Sequence, residues 1–507
     1  MRAARAALTL RWLPALAGAA YVATVAALGS SLVRDNDWDT DVSGPFALAE
    51  RLRGSGAVSI PHYAEWTTFW WLLATRWLPW HAGIWEASGY TLAVATALLL
   101  AWATARVAGR WAGVTAGATA LLVGPFALRA LLSLASHVTN AVGAVVLGAA
   151  LVLLTRTRSW TLVVVVGVFV GANAASDALL WIAGVVPFAL AGALLYWTTR
   201  RKDIAARAGA IVAIAVVSAL ATSLVMHALG FHVIGLDVGL ASVHDLAGNV
   251  RHLARMIAFL GGANYAIPGP YPGDPLRALV ALLAVAGVAA PLVAAVKLRR
   301  ADPTLRAYAL FWAASVTLLC LVFVVTPNAT ALGPKSANYL LTLAPAAGVG
   351  VALLALRSHA AQLAVAVAVA AVGAVNVASI IDGRAGGTPV LGMHQGEIQR
   401  VLDARSVTRG YAGYWDSQNL SWQTDMRLLV APVVNCGAQL CPYRFFTVES
   451  WYEPRGGPTF LLVDPTNAVI HAPPFASSAT ETHHFGPITL YVFDYDIARD
   501  IRAPAPS

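Results

Sequence analysis

Apolar residues run in long blocks broken by short polar turns from residue 10 to residue 381. Each block is about 17–25 residues, the helix length that crosses a hydrocarbon layer roughly 30 Å thick. The blocks fall near 11–32, 84–105, 111–131, 138–155, 160–176, 178–198, 208–230, 276–296, 307–326, 338–356 and 361–381. They predict an all-α polytopic membrane region of about eleven transmembrane helices over 1–381. Asn173, Ser176 and Asp177 interrupt the fifth and sixth blocks, which read as one broken helix or two short ones. Beyond 381 the pattern changes. A helix is expected over Gly396–Leu402, and strands over Leu428–Val434, Thr459–Val463 and Ile488–Phe493. Residues 382–507 are therefore expected to form a small C-terminal α/β domain, long enough to bury a core of its own.

Charge orients this array. Arg2, Arg5 and Arg11 precede the first span, and basic residues follow every even-numbered one: Arg106 and Arg110, Arg156 and Arg158, Arg200 to Arg207, Lys297 to Arg306, and Arg357. Basic loops stay in the cytoplasm. The N-terminus is thus expected inside and, after an odd number of spans, the C-terminal region outside a plasma or inner membrane. The first block is longer than a signal peptide's apolar region, and charges follow it where a cleavage site would stand, so it reads as a retained span.

Composition agrees. Hydrophobic residues make up 58% and charged ones 12%, about half the roughly 25% charged content of soluble chains. The net charge of +9 might suggest nucleic acid, but the excess lies in the short basic loops. Residues 1–381 carry +12 and residues 382–507 carry −3, so no nucleic-acid partner is expected. Cys320 lies inside a span, whereas Cys436 and Cys441 are close together in the tail, where an exported location favours a disulfide closing a tight loop.

Two outward loops are long, 33–83 and 231–275. The first opens with Arg34-Asp35-Asn36-Asp37-Trp38-Asp39-Thr40-Asp41, four carboxylates in seven residues. Acids contribute little to topology, and crowding them raises their proton affinity, so the cluster points to chemistry. It could supply a general base for a hydroxyl or oxygen ligands for a divalent cation such as Mg2+, Mn2+ or Ca2+. A surface helix is expected from Pro45, with Ser43 as its cap. His62 and Glu65 could reach a substrate at the interface, or be plain loop residues. Trp66, Trp70, Trp71, Trp77, Trp80 and Trp85 predict a helix anchored at headgroup depth.

In the second loop Arg251 and Arg255 lie four apart on a helical stretch, suited to clamping a phosphate or to snorkelling toward headgroups. Before the tenth span comes Lys335-Ser336-Ala337-Asn338-Tyr339-Leu340. Asp177, at a span end, could face a cavity or water. Tyr411, Tyr414, Trp415, Trp422, Trp451 and Tyr452 of the tail offer either core packing or a sugar-stacking surface.

An acidic motif at the exit of the first span, followed by surface helices and many further spans, resembles the GT-C class of membrane glycosyltransferases. The resemblance implies sugar transfer from a polyprenyl-phosphate carrier at the outer face, with one or two acids of the first loop as base or metal ligand. Asp39 and Asp41, with Ala47 and Ala49 behind them, match that pattern best; Asp35 and Asp37 are further candidates. The acids here alternate, where many relatives have adjacent Asp-Glu. Asn338-Tyr339-Leu340 stands where the family often has Arg-Tyr-Leu facing the lipid phosphate, and Lys335 could supply the charge instead.

The expectation is a membrane glycosyltransferase moving a sugar from a polyprenyl-phosphate donor to an envelope glycan, lipid or protein. The alternatives are a lipid or polysaccharide transporter and a non-catalytic envelope assembly protein. A transporter should carry ionisable groups near mid-span. Here the span interiors are nearly free of charge and the acids lie in the loops, which favours surface chemistry.

Overall fold

In a computed structural model the chain is mostly helical with a β-rich C-terminal region. The structure describes residues 10–501, apart from 35–39, 53–56, 62–64, 133, 135–136, 236–238, 264–274, 328–332, 382–389 and 467–469.

The helices are α1 (Leu13–Arg34), α2 (Thr40–Arg51), α3 (Trp66–Thr75), α4 (His81–Ala108), α5 (Arg110–Leu121), α6 (Pro125–Leu132), α7 (Val138–Leu154), α8 (Trp160–Ala174), α9 (Val186–Thr199), α10 (Lys202–Ala228), α11 (Val243–Leu260), α12 (Pro275–Lys297), α13 (Pro303–Val325), α14 (Leu343–Leu354) and α15 (His359–Ile381). Among the described residues, six helical segments are long and apolar enough to cross a membrane: α4, Trp181–Thr199, α10, α12, α13 and α15. Of the other predicted spans, 11–32 meets the 22-residue α1, three meet the shorter helices α7, α8 and α14, and 111–131 is interrupted. Exposed Leu98, Val217, Leu220 and Val296 ring the outside of the bundle, as lipid-facing positions would.

The predicted span at 111–131 is broken at Leu122–Gly124, between α5 and α6. A break in an apolar setting leaves carbonyls without partners, at about 1–3 kcal/mol each. Here side chains supply them. Tyr21 Oη donates to Val123 O at 2.8 Å, and Asn376 Nδ2 donates to Leu122 O at 3.0 Å. Gly124 N in turn donates to Leu260 O at 2.6 Å. The sixth predicted span opens with a π-helical turn, Trp181–Val185, whose Ala183 carbonyl accepts from Ser315 Oγ at 2.6 Å.

Some of the basic loop residues do structural work. Arg207 is buried and donates to Leu154 O, Thr157 O and Asp203, closing the C-terminus of α7. Arg156 donates to Arg106 O at the end of α4. These arginine-rich ends lie opposite the ends that meet the C-terminal region, called here the tail side.

Three short strands join the tail side. β1 (Val58–Pro61) pairs in parallel with β2 (Phe231–Ile234) and antiparallel with β6 (Thr447–Val448), so the two long loops and the C-terminal region share one sheet. The C-terminal region carries α16 (Val390–Ala404), β3 (Arg409–Gly413), α17 (Tyr414–Gln423), β4 (Leu429–Cys436), β5 (Gln439–Pro442), β7 (Thr459–Val463), β8 (Glu481–Phe485) and β9 (Ile488–Phe493). Six of its strands form a mixed sheet in the order β5-β4-β3-β7-β9-β8, with β3 parallel to both β4 and β7. Central β7 is buried at all five positions, as expected for a strand covered on both faces. Cys436 and Cys441 form a disulfide across the β4–β5 turn.

Small residues let the membrane helices touch. A Cβ on Gly348 of α14 would lie 2.5 Å from Ala116 O of α5. Gly348→Ala should therefore destabilise the protein by about 1–3 kcal/mol through overpacking. Gly209→Ala, where a Cβ meets nothing within 4 Å, should be neutral or stabilising. Thermal unfolding in detergent measures both.

Candidate functional site

The tail side is held rigid around the start of α2. Phe46 of α2 stacks on Trp85 at 5.8 Å and on Trp422 of α17 at 5.2 Å. Glu50 pairs with His81 at 3.0 Å, and Gly44 lies so close to Phe446 that a Cβ would meet its ring at 2.5 Å. This helix begins at Thr40, a turn earlier than expected, with Pro45 inside it. Asp41 is thus in the first turn of α2, where the helix N-terminus favours a negative charge. Asp35, Asp37 and Asp39 lie outside the described residues, as do His62 and the side chains of Asp41 and Lys335.

A buried polar cluster lies where α3, α7 and the ends of α8 meet. Asp177 is 1% exposed and accepts from three donors: His137 Nδ1 at 2.5 Å, Asn140 Nδ2 at 2.7 Å and Leu179 N at 3.0 Å. Burial alone would raise the Asp177 pKa. The charge and hydrogen bond of His137, with the bonds from Leu179 N and Asn140, outweigh that and hold the carboxyl below its ordinary value. His137 is 2% exposed and has φ +70°, a left-handed backbone that few side chains adopt.

Glu65 is also buried. Its Oε1 accepts from Thr139 N at 2.5 Å, at the start of α7, while Oε2 has no partner. Burial is the main reason its pKa lies well above the ordinary 4.5, and the charge of Asp177 adds to the effect. Two neighbouring carboxyls are thus driven in opposite directions, the pattern that separates an acid from an anion within one site. Thr67 Oγ1 donates to Asn173 Oδ1 at 2.6 Å, so residues on both sides of Trp66 hook α3 onto the α7 and α8 ends. Trp66 and Trp85 are fully buried, whereas Trp77 and Trp80 are 76% and 61% exposed. Only the outward-facing tryptophans are placed to anchor in headgroups; Trp66 and Trp85 sit on core faces and serve packing.

Tyr339 covers the cluster, its ring 4.4 Å from that of His137. It belongs to a 3-10 segment, Gly333–Leu340, that leads into α14 and is tied to α11 by His252 Nε2 and Ser336 Oγ at 2.8 Å. Arg251 and Arg255 of α11 are exposed. In the C-terminal region Tyr411, Tyr414 and Trp451 are buried and Trp422 packs on Phe46, so these rings serve the core.

A half-open apolar cavity of about 440 Å³ lies between α5, α11, α12, α14 and α15. A second space of about 40 Å³ shares Val123, Leu260 and Ala344 with it and is bounded by Val138, the residue after His137. Both spaces are lined almost wholly by apolar side chains.

Among the described residues, no three His, Cys, Asp or Glu side chains converge as a metal site. The acids of residues 35–39, which a GT-C-like fold implies for a cation, fall outside that set.

The titration of Glu65 can be tested directly. Its folded pKa is raised, so its contribution to stability is fully present below about pH 4.5 and is lost as pH rises through the folded value. The wild-type unfolding midpoint should fall as pH rises from about 5 to 8. Glu65→Gln, which keeps the Thr139 bond, should flatten that slope; an unchanged slope would mean that Glu65 is not the group responsible.

No protein-family model and no curated protein matches the chain. Among solved structures, the crystal structure of ArnT from Cupriavidus metallidurans bound to undecaprenyl phosphate matches with a TM-score of 0.54 and 14% identity, covering 93% of this chain and 97% of that one. ArnT from the same organism in the apo state matches with a TM-score of 0.44 and 15% identity, covering 96% and 98%. At this identity the likeness is one of fold, and it spans nearly the whole chain: this is a multi-pass membrane protein of GT-C-like architecture.

Proposed function

We propose that the protein is a glycosyltransferase that takes a sugar from a polyprenyl-phosphate donor and passes it to an envelope acceptor, with the reaction on the tail side of the membrane. The observation that carries this reading is the pairing of an apolar cavity between the membrane helices with a buried polar cluster at His137, whose chain neighbour Val138 borders a second apolar space. A lipid-borne sugar has an isoprenoid tail that stays in hydrocarbon and a phosphate that needs donors at the boundary. The apolar cavity suits the first need and the polar side chains of the tail side suit the second. The fold likeness supports it, since that ArnT structure was bound to undecaprenyl phosphate.

The acceptor hydroxyl loses its proton to Asp39 or Asp41 and attacks the anomeric carbon of the sugar. The bond from that carbon to the phosphate oxygen breaks, and its electron pair leaves with the lipid phosphate. Lys335, Arg251 and Arg255 would meet that charge. If Asp39 and Asp41 hold a Mg2+, Mn2+ or Ca2+ ion instead, the ion would take up phosphate charge when bound. The basic loops put the opposite ends of the helices in the cytoplasm, so the tail side would be extracytoplasmic.

Transfer of labelled sugar from a panel of polyprenyl-phosphate donors into membranes tests the reading. Asp39→Asn or Asp41→Asn should reduce transfer by about 10²–10⁴-fold, the usual value of a general base, with normal folding. Undiminished transfer in both variants would remove these acids from the mechanism, and no transfer by the wild type from any donor would overturn the assignment.

A further inference from the structure

The segment Gly333–Leu340 has an unusual conformation. It holds eight residues in a 3-10 helix, although runs longer than three or four are uncommon because their hydrogen bonds are poor. Such a segment persists only where its surroundings hold it. With three residues per turn, Ser336 and Tyr339 lie on the same face, and each meets a histidine: Ser336 meets His252, and Tyr339 meets His137.

His137 is itself held against its preference. Its left-handed backbone costs about 1–2 kcal/mol for a residue with a Cβ, and such strain persists where neighbours over-determine it. The neighbours here are Asp177, which binds its Nδ1, and Asn140, which binds the same carboxylate oxygen. The chain of contact therefore runs from Asp177 to the imidazole, from there to the Tyr339 ring, and so to the segment that contains Lys335. Val138 and Leu341, the chain neighbours of His137 and of the 3-10 segment, both border the smaller apolar space.

We infer that His137, oriented by Asp177, is a positioning residue for the phosphate of a lipid donor, acting through Tyr339 to set the segment 333–340. The inference rests on the proposed glycosyl transfer, because it takes the phosphate-bearing ligand from that reading. His137 takes no proton and forms no bond in the reaction. Its work is to fix the ring beneath the phosphate subsite before the lipid arrives, so that little ordering remains to be done on binding.

The test uses the full-length protein in lipid nanodiscs, with undecaprenyl phosphate as probe and undecaprenol as its uncharged control. Thermal stabilisation by each lipid is measured alongside KM and kcat for the donor. His137→Gly accepts the left-handed backbone but removes the ring. His137→Asn also tolerates that backbone and keeps an amide donor for Asp177. Both should fold. His137→Gly should weaken undecaprenyl phosphate binding and raise donor KM by about three- to tenfold, the worth of one aromatic contact, with kcat less affected. Asparagine should recover part of that loss.

Combining His137→Gly with Tyr339→Leu should cost no more than either change alone, a non-additivity that loss of stability at separate sites would not produce. Should His137→Gly fail to fold, Tyr339→Leu at its half-buried position tests the same contact and should show the same weakening. A folded His137→Gly or Tyr339→Leu protein with wild-type affinity for undecaprenyl phosphate overturns this inference and leaves the transferase reading standing. A wild-type protein that undecaprenyl phosphate stabilises no better than undecaprenol overturns that reading as well.

Discussion

A carboxylate that leaves water must find donors, and the surroundings of Asp177 follow from that need. Isolated burial of such a charge is prohibitive, and three donors from two stretches of chain, 137–140 and Leu179, converge to prevent it. Meeting them fixes the backbone at His137, the start of α7, the junction between α8 and the π-helical turn, and, through the imidazole, the ring of Tyr339. The buried polar side chains of this region are therefore one arrangement. Its dependence on geometry explains why a polar cluster can persist at the top of an otherwise apolar bundle.

The same logic governs the broken span. A continuous helix from 110 to 132 would satisfy its own backbone; the break at Leu122–Gly124 needs Tyr21, Asn376 and Leu260 O to do so. In exchange, the break lets Val123 and Leu260 form a wall common to both cavities. On the other side, Arg207 and Arg156 cap helix ends, so part of the positive charge that sets orientation is also structural.

Much of the bundle was legible in the sequence because lipid imposes a simple rule. Helix is found at each of the eleven predicted blocks; among the described residues, six segments meet the length and apolarity of a full crossing. The four predicted tail elements also lie within α16, β4, β7 and β9. The short strands β1, β2 and β6 were not foreseen, since strands of two to four residues have no periodicity to read and their partners are distant in the chain. The Trp-rich stretch divided because its residues occupy two faces: Trp66 packs inward while Trp77 and Trp80 project outward. His137 left no signal at all. It is a lone histidine between Ser136 and Val138, and its role comes from a left-handed backbone and from Asp177, forty positions away. Glu65 was visible as a candidate, but its bond to the first turn of α7 arises from tertiary packing.

The account depends on a lipid phosphate standing at the upper end of the apolar cavity, with its isoprenoid chain inside. The direct measurement is photolabelling with a diazirine-bearing polyprenyl phosphate, followed by mapping of the labelled peptides. Label should concentrate on cavity walls such as Leu283, Ala347 and Val369 and be displaced by unlabelled polyprenyl phosphate. Label spread over the exposed faces at Val217, Leu220 and Val296, with no displacement, would contradict it.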